Sequence, residues 1–547
     1  MEPVKAIGID LGTTYTCAAV VVDGEPQVLR SREGYTTIPS VVGFDDQGQP
    51  LVGQRAVGRM TLHPTATIYG AKRLLGRAYD SKVKRLFQDH FRYALVPGDD
   101  GLIAAQIDGH KVPLVEASTL ILAEIKRAAE STLGYEVERA VITVPAYYSE
   151  NQRAMVRQAA QAANLEVVRL LSEPTAAALC YGRHGRKREL VLVYDLGGGT
   201  FDATLLQIDD GSFTVLAVDG DSFLGGLDFD IMCLELITRQ VGVNRGRSLE
   251  LDPIGWERLR AAAQQAKHQL SERDRTTVEV PNFRTSGETF DLSATLSRKD
   301  FERAAAPLID RTLRIVERML QRVGAAVSDV QQVLLVGGQT RMPVVRQLLQ
   351  KMFGRKPAQN VHPDEVVALG AAIAAASGGQ GSQLDLHDVV SLPIGIANGD
   401  GDFVEVIPRW SPIPSEGRAE LTLPRKQTEI RVGVFQGEHQ RADQNDYLGS
   451  VVVDALLVLD REVKCRLALR LDEAGILKVV ARAGSQKRVL KLVTLDAPED
   501  VLAQAGKERL QVAAGAKALG YGVQSGSARP AKSPGGGWLS RLFGRKS

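Results

Sequence analysis

Hydrophobic and polar residues follow the same plan in two separate blocks of the chain. Residues 5–22 contain two apolar runs, KAIGID and YTCAAVVV, on either side of the corner LGTT. Residues 190–208 repeat this plan as LVLVYD, LGGGT and FDATLLQI. β-branched runs that flank a Gly-rich corner are typical of paired strands. The two blocks therefore predict an internal duplication, in which each copy begins with a strand, a turn and a second strand.

Helical periodicity follows each block. Residues 115–133 and 256–270 have apolar positions at helical spacing, so each range predicts an amphipathic helix. The apolar face of the first helix is expected to carry Leu120, Ile121, Ile125 and Ala128. Strand-rich and helix-rich stretches alternate to about residue 375, which is typical of a large α/β unit.

Near residue 371 the alternation of strand-rich and helix-rich stretches ends, and a different pattern begins. AAIAAASGGQGSQLDL passes from an apolar helix into Gly, Ser and Gln, a composition typical of linkers. Short alternating runs such as EIRVGVF and CRLALRL then predict a β-sandwich. Residues 497–519 predict one Ala-rich helix that carries Gly506 and Gly515, and the chain after Tyr521 has the Gly, Ser and Pro content of disordered segments. We therefore expect four segments, at 1–380, 381–388, 389–496 and 497–547.

Charge and composition exclude several classes of protein. The 67 Lys and Arg residues nearly balance the 65 Asp and Glu residues, so the whole chain has no field that favours nucleic acid. The exception is residues 501–547, which contain eight basic residues and one acidic residue. With no secretory signal and no long apolar run, we expect a cytoplasmic protein. The cysteines show no spacing typical of disulfides or metal ligands; they are Cys17, Cys180, Cys233 and Cys465.

Gly-rich turns supply the candidate chemistry. The chain contains no GxxxxGK[ST] motif, which excludes a P-loop nucleotide site. In DLGTT (10–14) and DLGGGT (195–200), backbone N–H groups and Thr hydroxyls can converge on phosphate, and the leading Asp can hold hydrated Mg²⁺. A third turn, VGGQTR (336–341), allows close approach to a base or ribose, and Arg341 can stack on adenine. Facing turns would clamp a triphosphate and its metal.

Eight ordered motifs resemble those of the seventy-kilodalton heat-shock chaperone family. They are IGIDLGTT, AKRLLGR, VITVPAYY, SEPTAAAL, VYDLGGGTFD, LGGLDFD, VLLVGGQTRMP and HPDEVVALGAA, and together they cover nearly all of residues 4–377. A weaker resemblance continues through residues 389–495. The resemblance implies an actin-like, duplicated (ribonuclease H-like) α/β ATPase domain followed by a β-sandwich that binds peptides. It also implies ATP or ADP and Mg²⁺ as cofactors.

The resemblance assigns roles to individual positions. Lys72 resembles the family's catalytic lysine, and Glu173 the carboxylate beside the attacking water. Asp10, Asp195 and Asp202 resemble its aspartates that order Mg²⁺ and water, with Asp10 and Asp195 holding the metal through water. The positions that resemble its nucleotide contacts are Gly12, Thr13, Thr14, Gly197, Gly198, Gly199, Thr200, Gln264, Lys267, His268, Ser271, Gly337, Gly338, Gln339, Arg341 and Asp364. Four positions resemble its allosteric residues: Pro145 and Arg153 its relay between nucleotide state and domain docking, Arg169 part of its J-domain and linker contact, and Asp388 the Asp that ends its linker.

Two segments depart from the family pattern. Gln264 stands where the family has a ribose-binding Glu, and His268 where it has Arg, so we expect ATP binding of reduced affinity. The interdomain linker reads Leu384-Asp385-Leu386-His387-Asp388, with polar residues inside the family's apolar run. Each lost leucine removes about 1–2 kcal/mol of docking free energy, so we expect weakened docking and impaired coupling.

Within the sandwich, four apolar positions resemble the family's peptide pocket: Ile396, Phe403, Ile430 and Val432. Alternating apolar residues in any sandwich can instead face its core, and this alternative stays open. The loop 398–402 is rich in Gly and Asp where the family has apolar arch residues. The 51 residues after Asp496 are too few for the family's helical lid, so we expect a lidless member of bacterial type in which bound peptide exchanges quickly.

The final ten residues, WLSRLFGRKS, form an amphipathic pattern. One helical face would carry Trp538, Leu539, Leu542 and Phe543, with basic residues around it. This pattern favours peripheral contact with a membrane or a partner helix, and a disordered solubilising end is the alternative. We therefore expect a cytoplasmic protein with a membrane-associated fraction.

The leading function is an ATP-dependent chaperone that binds extended apolar segments of client proteins. J-domain co-chaperones and nucleotide exchange factors are the further partners that the resemblance implies, and nucleic acid is not expected. The alternative is a nucleotide-regulated module, with or without a membrane tether, that binds one specific client. A sugar kinase on the same fold is disfavoured, because a small phosphoryl acceptor does not require a peptide-binding sandwich.

Overall fold

A computed structural model provides the structure of the chain. It describes residues 6–31, 33–80, 87–182, 188–245, 249–285, 287–358, 362–377, 385–423, 429–454, 463–473, 475–483, 486–490, 492–493, 498–507 and 510–515. The expectations for Leu384, Trp538, Leu539, Leu542 and Phe543 lie outside these residues.

The first lobe surrounds a mixed sheet whose strand order is β12-β11-β1-β2-β3, with β4 also paired to β2. The strands of this lobe are β1 (Ala6–Leu11), β2 (Tyr15–Val22), β3 (Glu25–Val28), β4 (Ile38–Pro39), β5 (Val41–Phe44), β6 (Pro50–Val52), β7 (Thr67–Tyr69), β8 (Ala94–Pro97), β9 (Ile103–Ile107), β10 (His110–Pro113), β11 (Arg139–Val144) and β12 (Glu166–Ser172). Its helices are α1 (Gln54–Met60), α2 (Leu114–Leu133), α3 (Glu150–Ala162) and α4 (Glu173–Gly182). The observed α2 confirms the helix expected at residues 115–133 and buries Ile121 and Ile125.

The second lobe surrounds a sheet of order β18-β13-β14-β15, which is extended by β19 (Asp385–Val389) and β22 (Pro412–Ile413). The strands of this lobe are β13 (Glu189–Leu196), β14 (Phe201–Asp209), β15 (Ser212–Asp221), β16 (Arg275–Arg284), β17 (Thr289–Ser297) and β18 (Gln332–Val336). Its helices are α5 (Gly226–Arg245), α6 (Pro253–Glu272), α7 (Arg298–Val323) and α8 (Pro343–Phe353). The next helix, α9 (Val366–Ser377), packs on the strands of the first lobe. Helix α6 contains the whole of the predicted helix 256–270.

The two lobes confirm the duplication. In each, the first two strands pair antiparallel, and a later strand adds in parallel to the first: β11 to β1, and β18 to β13. Helix α9 packs closely against both α4 and β1. A Cβ atom on Gly370 would lie 1.8 Å from the carbonyl oxygen of Ala176, so only glycine allows α9 and α4 this close.

The linker strand is docked on the second lobe, although polar residues interrupt its apolar run, and the strength of this docking stays a prediction. Strand β19 (Asp385–Val389) pairs in parallel with β15 and opposes Leu386 to Phe213. Its far end pairs antiparallel with β22 (Pro412–Ile413) of the sandwich. Backbone pairing at a sheet edge does not require apolar side chains, so Asp385 and His387 are accommodated while Leu386 packs against the apolar cluster between the lobes.

The C-terminal part of the described chain contains a sandwich of two five-stranded sheets, of order β21-β20-β24-β25-β29 and β28-β27-β26-β23-β30. The remaining strands are β20 (Ile394–Ala397), β21 (Phe403–Ile407), β23 (Ser415–Leu423), β24 (Glu429–Gln436), β25 (Asp446–Asp454), β26 (Val463–Leu471), β27 (Leu477–Ala483), β28 (Gln486–Leu490), β29 (Leu492–Val493) and β30 (Gln511–Gly515). The inward side chains of both sheets form one buried apolar cluster.

The prediction of one helix at residues 497–519 is wrong at residues 511–515. Helix α10 covers Pro498–Lys507, and Gln511–Gly515 form β30, which pairs antiparallel with β23. The unpaired edge of β23 supplies backbone hydrogen bonds that override the helical propensity of this Ala-rich stretch. Within the described part of the chain, no helix combines the length and apolar content needed to cross a bilayer.

Candidate nucleotide-binding site

A cleft of about 670 Å³ lies between the two lobes and brings all three Gly-rich turns together. Of the predicted catalytic and nucleotide-contacting residues, those that line the cleft are Asp10, Gly12, Thr13, Thr14, Lys72, Glu173, Asp195, Gly197, Gly198, Thr200, Gln264, Lys267, His268, Ser271, Gly337, Gly338, Gln339, Arg341 and Asp364. Gly199 and Asp202 are outside this lining set. The volume is large enough for a ligand of nucleotide size.

The two phosphate-type turns face each other, as the duplication predicts. A Cβ atom on Gly198 would lie 2.0 Å from the hydroxyl oxygen of Thr14, and one on Gly199 would lie 2.8 Å from that of Thr13. Side chains at these glycines would therefore collide with the opposite turn. The hydroxyl of Ser40 donates to the carbonyl oxygen of Gly12 at 2.8 Å and fixes the first turn from behind.

Lys72 and Glu173 form a buried ion pair at the floor of the cleft. Lys72 lies on a short 3₁₀ turn after β7, and Glu173 is the first residue of α4. Their ammonium and carboxylate groups are in direct contact, and both side chains are nearly excluded from solvent. The hydroxyl of Tyr148 donates to the carbonyl oxygen of Lys72 at 2.5 Å and holds the 3₁₀ turn in place. The pair presents one cation and one anion at fixed positions.

Three aspartates surround this pair. Asp10 and Asp195 lie near the ends of β1 and β13, and Asp202 lies on β14 opposite Asp195. Burial and the charge of Glu173 raise the pKa of Asp10 to about 7 and that of Asp202 to about 7, and the same causes raise the pKa of Asp195. The three aspartates and Glu173 therefore have little positive charge near them besides that of Lys72.

The aspartates suit a hydrated cation. The Oδ2 atom of Asp202 is buried without a hydrogen-bond partner, and Oδ1 accepts the N–H of Tyr147 at 2.9 Å. Among the described residues, no three His, Cys, Asp or Glu side chains converge closely enough to bind a metal ion directly. Mg²⁺ keeps several of its waters in nucleotide sites, so a cluster that is anionic but too open for direct ligation fits it.

The opposite end of the cleft is polar and internally paired. The ammonium of Lys267 lies 2.9 Å from Asp230 and donates to the carbonyl oxygen of Gly226 at 3.0 Å, so its charge is already neutralised. Arg341 forms an ion pair with Asp364 at 2.5 Å. Asp230 was missed as a site residue, although the motif LGGLDFD contains it. The sequence does not reveal that Asp230 pairs with a lysine 37 positions further along the chain.

The predicted relay residues lie outside the cleft. Pro145 is buried directly after β11, and its carbonyl oxygen accepts the N–H of Tyr148. Arg153 pairs with Glu150 at 3.7 Å on α3, and Asp388 opposes Ile413 in the linker pairing. Arg169 is partly buried on β12. The N-terminal end of α3 contacts the sandwich, because the N–H of Glu150 donates to the side chain of Gln436 at 2.8 Å.

A second contact between lobe and sandwich was not predicted. Asp219 on β15 is fully buried and accepts hydrogen bonds from Arg318 at 2.9 Å. Arg409 of the sandwich reaches the same carboxylate at 3.1 Å. The indole N–H of Trp410 donates to the carbonyl oxygen of Val218 at 2.9 Å. About 190 residues separate these partners in the sequence, so local pattern gave no signal for the contact.

The predicted peptide pocket is not open. Ile396 and Val432 are fully buried in the sandwich core, where the alternative interpretation placed them. Phe403 is partly exposed and packs in a small cluster with Phe435 and with Leu502 of α10. The side chain of Ile430 is not among those that the structure describes. Among the described side chains, the structure therefore does not bring Ile396, Phe403 and Val432 together as one accessible pocket.

Two α/β lobes of the same plan, with facing phosphate turns between them and a sandwich behind a docked linker, define an actin-like ATPase joined to a β-sandwich domain. A family model described as Hsp70 protein matches residues 6–519. The chain therefore belongs to the Hsp70 family, which confirms the resemblance drawn from its motifs. The protein is an ATP-dependent molecular chaperone that hydrolyses ATP. Members of this family bind unfolded clients and work with J-domain and nucleotide-exchange co-chaperones.

Proposed function

We propose that the cleft binds Mg²⁺ with ATP or ADP and that Lys72 and Glu173 carry out ATP hydrolysis. The observation that carries this proposal is the buried Lys72–Glu173 pair, which lies beneath the two facing turns and beside Asp10 and Asp195. A phosphoryl group held between the turns would meet one fixed cation and one fixed carboxylate.

Each group has a distinct task in an in-line displacement. Thr13, Thr14 and Thr200 donate hydroxyl hydrogen bonds to phosphate oxygens, together with backbone N–H groups of the turns. The Lys72 ammonium stabilises negative charge on the transferring phosphoryl oxygens, and Glu173 orients the attacking water through its carboxylate. When bound, Mg²⁺ neutralises phosphate charge, and Asp10 and Asp195 would hold it through water. Asp202 would order water near Asp10 and Asp195.

Substitution of the cation tests this assignment. Lys72→Ala should lower single-turnover ATP hydrolysis at least about 100-fold, because charge stabilisation in the transition state is lost. The Kd for MgATP should change little, because most phosphate contacts come from the turns. Lys111→Ala, which removes an exposed lysine outside the cleft, is the matched control. Hydrolysis at the native rate in Lys72→Ala would contradict the proposal.

We further propose that residues 1–380 form the nucleotide-binding domain, 381–388 the linker and 389–496 the client-binding domain. The docked β19 and the contacts of α3 with the sandwich support a relay through Pro145, Arg153, Arg169 and Asp388. Clients are extended apolar segments, bound around Ile396, Phe403, Ile430 and Val432. Because two of these side chains are buried here, peptide binding requires this sheet of the sandwich to open.

The remaining parts of the proposal concern partners and location. J-domain and nucleotide-exchange partners are proposed for this chain by analogy with its family. The protein works in the cytoplasm, with a fraction held at anionic membranes through Trp538, Leu539, Leu542 and Phe543. The apolar residues of this segment can enter the headgroup region, while its basic residues attract anionic lipid.

A further inference from the structure

The outward face of the second sandwich sheet is strongly basic. Six basic side chains are exposed on β23, β26 and β27, while the residues between them on each strand are buried, except for the partly exposed Ala468. We call these side chains the basic face: Arg418, Lys464, Arg466, Arg470, Lys478 and Arg482.

The acidic residues of this sheet lie beneath the basic ones. Glu416 pairs with Arg418 and Arg470, Glu420 with Lys464 and Arg466, and Asp472 with Lys478. The exposed fractions of these five basic side chains are 44–75%, whereas those of the three carboxylates are 18–33%. Six cations therefore exceed three carboxylates, and the cations form the outer layer.

The strand register places like charges directly opposite each other. Arg466 lies across from Arg482, and Arg470 lies across from Lys478. Directly opposed like charges destabilise a sheet, and none of the described carboxylates pairs with Arg482. These opposed positive charges cost folding stability. An anionic partner that neutralises them would explain why the sheet carries them.

The chain leaves the sandwich beside this face. Gly515 at the end of β30 is the register partner of Arg418. Residues 516–547 then contain six Lys and Arg residues and no Asp or Glu. Twenty-three positions separate Gly515 from Trp538, a distance of at most roughly 80 Å along the chain. The amphipathic residues can therefore reach the surface that the basic face meets.

We propose that the basic face is a second membrane-contact surface, which holds the sandwich flat against an anionic lipid bilayer. A bilayer is favoured because the face spreads over three adjacent strands, and because the segment leaving its edge carries both positive charge and apolar residues. Two weak contacts on one chain bind a shared surface more tightly than either alone. This proposal goes beyond the membrane contact proposed for residues 538–543. It can be wrong even if that contact exists.

Co-sedimentation of the full chain with vesicles tests the proposal. The wild type should bind vesicles of equal parts phosphatidylglycerol and phosphatidylcholine in low salt, lose binding in high salt, and ignore pure phosphatidylcholine. R466Q/R482Q should weaken the partition coefficient roughly tenfold. It should unfold at or slightly above the wild-type Tm, because it removes a repulsive pair, and it should keep the basal ATP turnover, because both residues lie outside the cleft. R127Q/R303Q, which removes two exposed arginines of the ATPase lobes, should bind as the wild type does.

A third variant separates the two membrane contacts. In the background W538S/F543S, R466Q/R482Q should still cause a further loss of similar size. Equal binding of R466Q/R482Q and wild type in both backgrounds would overturn the role of the basic face, whatever the result for Trp538 and Phe543. Binding to poly(A) RNA that requires Arg466 and Arg482, with no binding to vesicles, would also overturn it and identify a nucleic-acid surface.

Discussion

At the scale of single residues, the cleft stores electrostatic repulsion that its ligands relieve. Asp10, Asp195 and Asp202 are buried near Glu173, and their raised pKa values report how costly their negative charge is without a cation. Such a cluster lowers the stability of the free protein in exchange for binding a charged ligand. This trade-off between stability and function is common at active sites.

The pH dependence of the free protein follows from these shifts. Asp10 has a pKa of about 7 in the fold, against about 4 when unfolded, so the native state binds more protons between these values. Its contribution to stability is present at low pH and is lost as pH rises through 7. Without Mg²⁺ and nucleotide, we expect the free energy of unfolding to fall by on the order of 2–4 kcal/mol from pH 5 to pH 8.

Asp10→Asn tests this prediction by removing one of the charges. In EDTA at pH 8 its Tm should exceed that of the wild type by about 2–5 °C, whereas MgADP should stabilise it less than the wild type. Thermal unfolding at pH 5 and pH 8 measures both effects. Asp108→Asn, on an exposed turn, is the control. A Tm for Asp10→Asn that equals or falls below the wild-type value at pH 8 would contradict the electrostatic account.

At the scale of elements, the linker strand β19 joins the two halves of the chain. It continues the sheet of the second lobe through β15 and meets β22 of the sandwich at its other end. Leu386 packs against the apolar cluster between the lobes, next to Phe213. The strand therefore connects the second lobe to the sandwich directly, through backbone hydrogen bonds and one apolar side chain.

Leu386→Asp should release this strand. Loss of its buried apolar area costs about 1–2 kcal/mol, and burial of a new carboxylate adds to that. We expect basal ATP turnover to persist, while any stimulation by peptide falls at least about fivefold; steady-state turnover with and without peptide measures this. Leu62→Asp makes the same change at an exposed leucine and should have no effect. Full peptide stimulation in Leu386→Asp would show that β19 carries no coupling.

The elements also show how far sequence reasoning reaches. The facing turns, the duplicated lobes and α2 could be predicted, because Gly-rich corners and apolar periodicity are local signals. The docked linker and β30 could not, because both depend on the free edge of a strand far away in sequence. Local motifs also locate Lys72 and Glu173. The alternating apolar pattern left open whether Ile396 and Val432 line a pocket or face the sandwich core, where they lie.

At the scale of the whole molecule, the lobes and the sandwich form one assembly around Asp219. This buried carboxylate binds Arg318 of its own lobe and Arg409 of the sandwich, and Arg409 also pairs with Glu438 at 2.7 Å. The Trp410 indole binds the neighbouring backbone. Removing the charge of a buried carboxylate that two guanidinium groups share leaves both cations without their counter-charge. Such a change strongly destabilises the contact.

Asp219→Asn should therefore shift the molecule toward a state with the sandwich undocked, by about 2–4 kcal/mol. Small-angle scattering should show a larger radius of gyration, and Trp410 fluorescence should shift to the red. Asp221→Asn, on the same strand, breaks only a pair with Arg311 inside the lobe and is the matched control. If the two variants scatter alike and match the wild type, Asp219 does not hold the two halves together.

The central claim is that ATP hydrolysis in the cleft is coupled to client binding by the sandwich. The most direct test is the rate of Mg²⁺-dependent ATP turnover by the full chain, measured with and without a panel of extended apolar peptides. We expect turnover that requires Mg²⁺ and rises at least about twofold with the peptides that bind, since their binding biases the docked state from which hydrolysis is regulated. The absence of Mg²⁺-dependent turnover, or turnover that no bound peptide changes, would contradict this account.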